Sequence, residues 1–176
     1  MSVNKLVLIA LIITGLYLYL TWQPSTLEIA NEMEFGEVIT YQGKNYESDW
    51  AVDSEKIEGH LRRKDRHYDE NVPIVTYDLI ITTEEYSDPD VVKIRHKGGG
   101  NYYWSSSKQP KGTLVVYHTV PSTPEAQNKL DEIEQDATVT LIGKISQNSE
   151  IKSDSGSFVK LMHGNHKFIL IEDAFE

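Results

Sequence analysis

The chain has 176 residues and a mass of 20.1 kDa, with 39% hydrophobic and 25% charged residues. This composition excludes a disordered chain, a collagen-like repeat and a polytopic membrane protein. Cysteine is absent, which excludes a disulfide scaffold, a thiolate nucleophile and a cysteine-ligated metal site. Because the formal net charge is −10, the protein repels nucleic acid at long range, and no nucleic-acid partner is expected.

Residues 1–23 differ from the rest of the chain. Positions 6–20 read LVLIALIITGLYLYL, without a charge, near the minimum length of a helix that crosses a bilayer. The residues that follow are bulky and offer no A-x-A-like cleavage site. We therefore predict an uncleaved transmembrane signal-anchor in residues 1–23, with residues 6–22 in the cell membrane. A cleaved signal peptide and a buried helix are the alternatives.

Charge sets the expected orientation of this anchor. Lys5 precedes the apolar run, whereas only acidic residues follow it before Lys44. Because positive charge stays in the cytoplasm, the amino terminus is predicted to be cytoplasmic and the main domain extracytoplasmic. In a bacterium this means a single-pass inner-membrane protein with a periplasmic domain.

Residues 24–73 are predicted to form an extracytoplasmic linker with a β-hairpin extension. Two short β-type runs flank Gln42 and Gly43, a pair typical of a tight turn. Farther along, apolar residues one helical turn apart favour a short helix over residues 54–63.

Basic residues crowd into the sequence HLRRKDRH at positions 60–67. Acidic residues lie on both sides of this run, which indicates a solvated segment whose charges are balanced locally. A docking patch for an acidic partner is the alternative interpretation.

Residues 74–176 carry the clearest strand pattern. Runs rich in β-branched residues occupy positions 74–83, 91–96 and 112–120, each bounded by turn-forming residues. A helix follows, because Ser122 can start a capping box, or Thr123 can be the N-cap with proline at the first helical position. Its apolar stripe consists of Ala126, Leu130 and Ile133.

The carboxyl-terminal part is predicted to contain three more strands. The first covers residues 137–146 and contains Gly143, where a strand can bend around a closed sheet. The other two, 157–163 and 166–173, flank Gly164-Asn165, a typical two-residue hairpin turn.

The order strand, strand, strand, helix, strand, strand over residues 74–176 resembles the OB-fold, a small Greek-key barrel plugged by a helix. The expected fold is therefore mainly β with one helix: an amino-terminal transmembrane helix followed by an OB-like barrel. A β-sandwich or another α+β sheet would give similar strings of elements.

A single anchor followed by an extracytoplasmic barrel also resembles the heme chaperones of cytochrome c maturation. Those proteins bind heme covalently through a histidine just after the barrel. No histidine follows the last predicted strand, which ends before Phe175-Glu176. The heme-binding residue is therefore not carried over, and heme delivery is not expected.

The stretch from Lys97 to Ser107 is the most unusual in the chain. Glycines permit close approach of the backbone and adjacent aromatic rings supply stacking surface, so we predict a ligand- or partner-binding site at Gly98, Gly99, Gly100, Tyr102, Tyr103 and Trp104. A hairpin whose aromatic rings fold back on the barrel is the alternative. The spacing is neither that of a phosphate-binding loop nor that of a nucleophile elbow.

Two histidines are candidate metal ligands. A tight hairpin would bring His163 and His166 close across the ladder, where imidazoles can hold zinc or copper if a third ligand is supplied. Two polar residues at an exposed turn are the alternative. His118 lies inside an apolar strand and is expected to be a hydrogen-bonded core or barrel-mouth residue. No cofactor is predicted.

These features favour a non-enzymatic, membrane-anchored interaction module, an accessory or assembly subunit of an envelope complex with other envelope proteins as partners. The alternative is an extracytoplasmic domain that binds a glycan, peptide or metal, or that is catalytic through the glycine-aromatic loop with His96 or His118. No convincing catalytic constellation favours the second class.

Overall fold

A computed structural model of the chain describes Thr14 and residues 24–35, 38–98 and 101–176. The fold is mainly β. Besides the helical residue Thr14, the described residues form the helices α1 (Thr26–Glu32) and α2 (Pro124–Glu132), and a 3₁₀ turn covers Glu84–Ser87. Its strands are β1 (Glu34–Phe35), β2 (Ile39–Tyr41), β3 (Lys44–Glu47), β4 (Glu55–Arg66), β5 (Tyr77–Thr82), β6 (Val92–Gly98), β7 (Asn101–Ser106), β8 (Leu114–Pro121), β9 (Thr138–Ile145), β10 (Glu150–Ser153), β11 (Phe158–Lys160) and β12 (His166–Phe175).

Five strands close into a barrel in the order β12-β8-β5-β4-β9, and β9 pairs with β12 to complete it. All neighbours are antiparallel except β8 and β12. Helix α2 lies in the chain between the third and fourth barrel strands. Closure leaves no free edge in this sheet.

The predicted short helix over residues 54–63 is wrong, because residues 55–63 belong to strand β4. Since β4 is a barrel strand, the barrel starts before residue 74. The first half of β4 pairs with β9 and its second half with β5, with an irregularity between Leu61 and Arg63. Charged side chains along its outer face hide the strand alternation in the sequence. Gly59 permits the close strand packing, because a Cβ there would lie 2.5 Å from Ile81 Cγ2 and 2.8 Å from the Thr82 carbonyl oxygen.

Helix α2 covers the main core as its apolar stripe predicts. Leu130 is fully buried among barrel residues that include Leu79, Leu141 and Ile169. The N-cap is Thr123, whose side chain accepts from the Ala126 amide. At the other end, the Lys64 ammonium donates to the carbonyls of Asp131 and Ile133, which satisfies groups that the helix leaves unpaired.

A smaller sheet, β1-β2-β3-β10-β11, packs with α1 over a second core that includes Ile29, Tyr46, Ile151 and Phe168. The predicted turn at Gln42-Gly43 is confirmed, since both residues have positive φ, 49° and 72°, as a type I′ turn requires.

The predicted hairpin at Gly164-Asn165 is wrong. Strand β11 pairs with β10, whereas β12 pairs with β8 and β9 inside the barrel. Two barrel neighbours satisfy both edges of β12 and bury its apolar residues, which a pairing with the short β11 would not do.

Among the described residues, no helix is long and apolar enough to cross a membrane. A crossing takes about 20 apolar residues, whereas α1 has seven residues and α2 has nine. This finding contradicts the predicted signal-anchor, the single-pass membrane protein and its periplasmic domain. Apart from Thr14, the span at 6–22 lies outside the described residues.

Candidate functional site

The segment predicted to bind a partner forms a two-stranded hairpin of β6 and β7. Cross-strand pairs join Ile94 to Trp104 and His96 to Tyr102. Because paired residues share a face, these aromatic side chains lie on one side of the hairpin. On this side Tyr102 donates to the Asp65 carboxylate at 3.0 Å, and the rings of Trp104 and Tyr86 meet edge to face at 5.3 Å. We call this side the inner face.

The base of the hairpin is tied to the barrel by Arg62, one of the residues of the basic run. Its guanidinium is buried, and it donates to the carbonyls of Tyr86 at 2.7 Å and Val92 at 3.2 Å. The neighbouring Arg63 forms a two-pronged pair with Asp65. The basic run is therefore largely engaged in structural contacts.

The other side, which we call the outer face, is basic. The pairs Lys93–Ser105 and Arg95–Tyr103 lie on it, and the Lys97 ammonium sits 5.1 Å from the centre of the Tyr103 ring. Residues 91–113 contain no Asp or Glu. Within the described parts of the chain, Lys93, Arg95 and Lys97 have no carboxylate within ion-pair distance.

The predicted partner-binding residues thus separate into different environments. Tyr103 and Trp104 are exposed, at 55% and 46%, but only Tyr103 points away from the barrel side. Tyr102 folds back, as the alternative interpretation expected. Gly98 ends β6, and Gly99 and Gly100 lie outside the described residues.

A second group of chemically active residues lies on the barrel. Asp78 on β5 is buried, and one of its oxygens, Oδ1, is 2.6 Å from Nδ1 of His118 on β8 and 2.8 Å from Nδ1 of His67, just after β4. On its other edge, His118 Nε2 lies 3.0 Å from Nδ1 of His166, the first residue of β12. We call these four residues the histidine cluster.

A cavity of about 230 Å³ adjoins this cluster. Asn101, at the tip of the hairpin, is one of the residues that line this cavity. The cavity is also lined by four histidines, His67, His118, His163 and His166. The predicted pair His163 and His166 does lie close, with ring centres 5.7 Å apart, but across a turn in which the His166 amide donates to the His163 carbonyl and not across a β-ladder.

The surroundings of the histidine cluster lower the pKa values of two of its groups, Asp78 and His166. Burial raises the pKa of the Asp78 carboxyl, but hydrogen bonds from His118 and His67 outweigh it and hold that pKa well below its usual range. Burial, with the neighbouring His118 and His163, lowers the pKa of His166 to about 4. At neutral pH the cluster therefore holds an ionised carboxylate beside a neutral His166 imidazole.

Sequence reasoning missed His67 and Asp78. The available signal was an aspartate inside the apolar run IVTYDLIITT at 74–83, because a carboxylate in a buried strand needs hydrogen-bond donors. His118 was correctly expected to be a hydrogen-bonded residue, but its partners could not be named before the strands were paired.

Comparisons with known proteins found no match among family models, curated proteins or solved structures. The function must be argued from the geometry described above.

Proposed function

We propose that the protein is an interaction module whose outer hairpin face binds an acidic, extended segment of a partner protein. The observation that carries the proposal is the segregation of charge: a chain of net charge −10 has a 23-residue stretch, 91–113, with five cations and no acid. This is the interaction module that the sequence led us to expect.

Charge complementarity gives this face its selectivity. Lys93, Arg95 and Lys97 lie together on an exposed strand, so their field adds locally although the rest of the protein is acidic. Such a patch attracts acidic partners and repels basic ones, with an effect that salt screens over about 10 Å at 0.1 M.

The backbone of the hairpin adds a second recognition element. In the described structure β6 and β7 pair only with each other, so each has an outer edge that no strand occupies. An added peptide strand can pair with such an edge. Alternate residues of that strand recur every 6.6–6.8 Å, roughly the spacing of Lys93 and Arg95, so alternating carboxylates can meet both cations.

The aromatic residues favour a peptide over single-stranded nucleic acid. Single strands are held by stacking successive bases on a series of rings. Among the described residues of the hairpin, only Tyr103 offers an aromatic ring on the outer face, because Tyr102 and Trp104 lie on the inner face.

A labelled decapeptide of alternating Glu and Val is the appropriate probe, with binding to the full chain followed by fluorescence anisotropy. We expect Lys93→Glu with Arg95→Glu to weaken binding at least tenfold, about 1.4 kcal/mol. Lys44→Glu, an exposed charge reversal on β3, is the matched control for Arg95→Glu alone, because the two single variants change the net charge equally. Amide shifts of the labelled protein should concentrate in residues 92–106.

Two results would reject the proposal. One is equal weakening by Arg95→Glu and Lys44→Glu, which would mean that only net charge matters. The other is tighter binding of a ten-nucleotide thymidine strand than of the peptide, which would assign the face to nucleic acid.

A further inference from the structure

We propose that the cavity beside β8 and β12 binds one divalent late-transition-metal ion, with Cu²⁺ the best fit. His118 Nε2 and His166 Nδ1 already lie close together, and the exposed side chain of His163 turns toward them to supply the third imidazole. This site is independent of the hairpin's outer face.

Within the histidine cluster, His118 is oriented by a carboxylate, as imidazoles that bind metals commonly are. An ionised carboxylate only accepts hydrogen bonds, so Asp78 requires a proton on Nδ1 of both His118 and His67. With Nδ1 holding its hydrogen toward Asp78, the tautomer of His118 that can bind a metal has its lone pair on Nε2, toward His166. A carboxylate that fixes the tautomer and orientation of a ligating imidazole is a recurring feature of metal sites.

The separation of the two nitrogens matches two adjacent ligands of one ion. Metal–imidazole bonds are about 2.0–2.1 Å long, so nitrogens 3.0 Å apart subtend about 95° at the metal. On metal binding the hydrogen on Nδ1 of His166 moves to its Nε2, so both nitrogens offer a lone pair, and the ion lies about 40° off the line that joins them. Because Asp78 holds the His118 ring in place, the His166 ring makes most of this adjustment. His166 is only partly buried and borders the cavity, which gives its ring room to turn.

Asp78 is better placed to orient the ligands than to bind the ion. Two ligands at 2.0–2.1 Å and at right angles are about 2.9 Å apart, and tetrahedral ones about 3.3–3.4 Å. The distances from Asp78 Oδ1 to the two Nδ1 atoms are 2.6 and 2.8 Å, shorter than both and typical of charge-assisted hydrogen bonds. Asp78 is therefore a positioning residue.

An independent observation also points to a ligand in this place. The side chain of His67 is 10% exposed, and its buried Nε2 has no hydrogen-bond partner within the described residues. Asp78 accepts a hydrogen bond from the opposite nitrogen, so this Nε2 is the ring atom that is open to an ion or to its bound water. His67 lines the same cavity, whose volume holds an ion together with water molecules. An ion or its bound water would satisfy this atom.

The donor set selects the metal. It consists of neutral imidazoles, without a thiolate, which suits Cu²⁺, Ni²⁺ and Zn²⁺ and not Mg²⁺ or Ca²⁺. Among these, an angle near 90° is that of tetragonal Cu²⁺ or Ni²⁺, whereas tetrahedral Zn²⁺ requires the nitrogens to move apart by about 0.3–0.4 Å. Cu²⁺ also has the highest general affinity in this series.

The test is a titration of the chelator-treated full chain with Cu²⁺, followed by calorimetry and by electron paramagnetic resonance. We expect one ion per chain and hyperfine splitting from nitrogen ligands. His166→Ala and His163→Ala should each weaken binding by at least tenfold, and Asp78→Asn by about 10–100-fold. His60→Ala, a partly exposed histidine on β4, should bind as the wild type does.

His163 is exposed and His166 is partly buried, so we expect both alanine variants to fold. They keep the test decisive even if Asp78→Asn fails to fold, and circular dichroism checks the folding of each variant. The proposal is overturned if wild type at micromolar concentration takes up no Cu²⁺, if His166→Ala binds as tightly as wild type, or if His60→Ala weakens binding as much as His166→Ala does. Absence of nitrogen splitting in the wild-type spectrum would also overturn it.

Discussion

Replacing Arg62 by alanine should release the β6–β7 hairpin from the barrel. The Arg62 side chain is one of the few buried cations of the described structure, and its guanidinium holds the carbonyls of Tyr86 and Val92. These two residues flank the segment that leads into β6. Without the guanidinium, both carbonyls lose a charged donor.

The expected cost follows from these contacts. A hydrogen bond from a charged group contributes about 1.5–3 kcal/mol, and a buried acceptor left without a partner costs about 1–3 kcal/mol. These effects overlap, so we expect Arg62→Ala to lower the free energy of unfolding by about 2–4 kcal/mol. Arg63→Ala is the matched control. Its guanidinium pairs with Asp65 but is 31% exposed, so the loss should be about 1 kcal/mol or less.

Urea denaturation measures both losses, and hydrogen exchange locates the change. Amides of residues 92–98 and 101–106 should exchange faster in Arg62→Ala, whereas those of β5 and β8 should change only with global stability. Equal losses for the two variants, or unchanged exchange in the hairpin, would show that Arg62 does not anchor it.

Two further predictions concern the core and the response to acid. Leu130→Ala should cost about 2–5 kcal/mol in urea denaturation because Leu130 is fully buried, whereas the exposed Asn128→Ala should cost under about 0.5 kcal/mol; equal costs would contradict the packing of α2. With a chelator present, the free energy of unfolding should fall by about 1–2 kcal/mol as the pH is lowered from 6.5 to 4. The reason is that in this range His166 takes up a proton only in the unfolded chain, since its pKa is lowered to about 4 in the folded protein. The partial exposure of His166 makes this loss smaller than the full linkage energy. The lowered pKa of Asp78 adds a loss below that range. A urea titration at several pH values checks this, and an unchanged profile in His166→Gln would refute it.

Elements with strong local signals could be predicted from the sequence. The turn at Gln42-Gly43 depends on two neighbouring residues, and the start of α2 depends on Thr123 and Pro124. Strand β4 could not be predicted in the same way, because it carries charged side chains toward solvent and Gly59 at a close strand contact. Its identity depends on both partners, β5 and β9, which are distant in the chain.

The pairing of β12 could not be predicted from the sequence either. Gly164-Asn165 is a good turn signal, yet β12 pairs in parallel with β8 and antiparallel with β9. The histidine cluster depends on the same pairing, because Asp78, His118 and His166 come from three neighbouring strands of the barrel. Local patterns identified His163 and His166 as a pair, but only the pairing of β8 with β12 and with β5 brings His118 and Asp78 beside them.

The two proposed binding regions meet at the tip of the hairpin. Asn101 begins β7 and also lines the cavity of the histidine cluster. The next residue, Tyr102, stacks on His96 and donates to Asp65 on β4, so the inner face of the hairpin lies against the same side of the barrel. An ion in the cavity would place positive charge beside a hairpin that already carries cations. Any resulting change in affinity for an acidic partner must be matched by an equal change in affinity for the ion, since linkage between two sites is reciprocal. Because Asn101 belongs to β7 and also lines the cavity, the hairpin is the element in which a measured coupling between the two ligands should be sought.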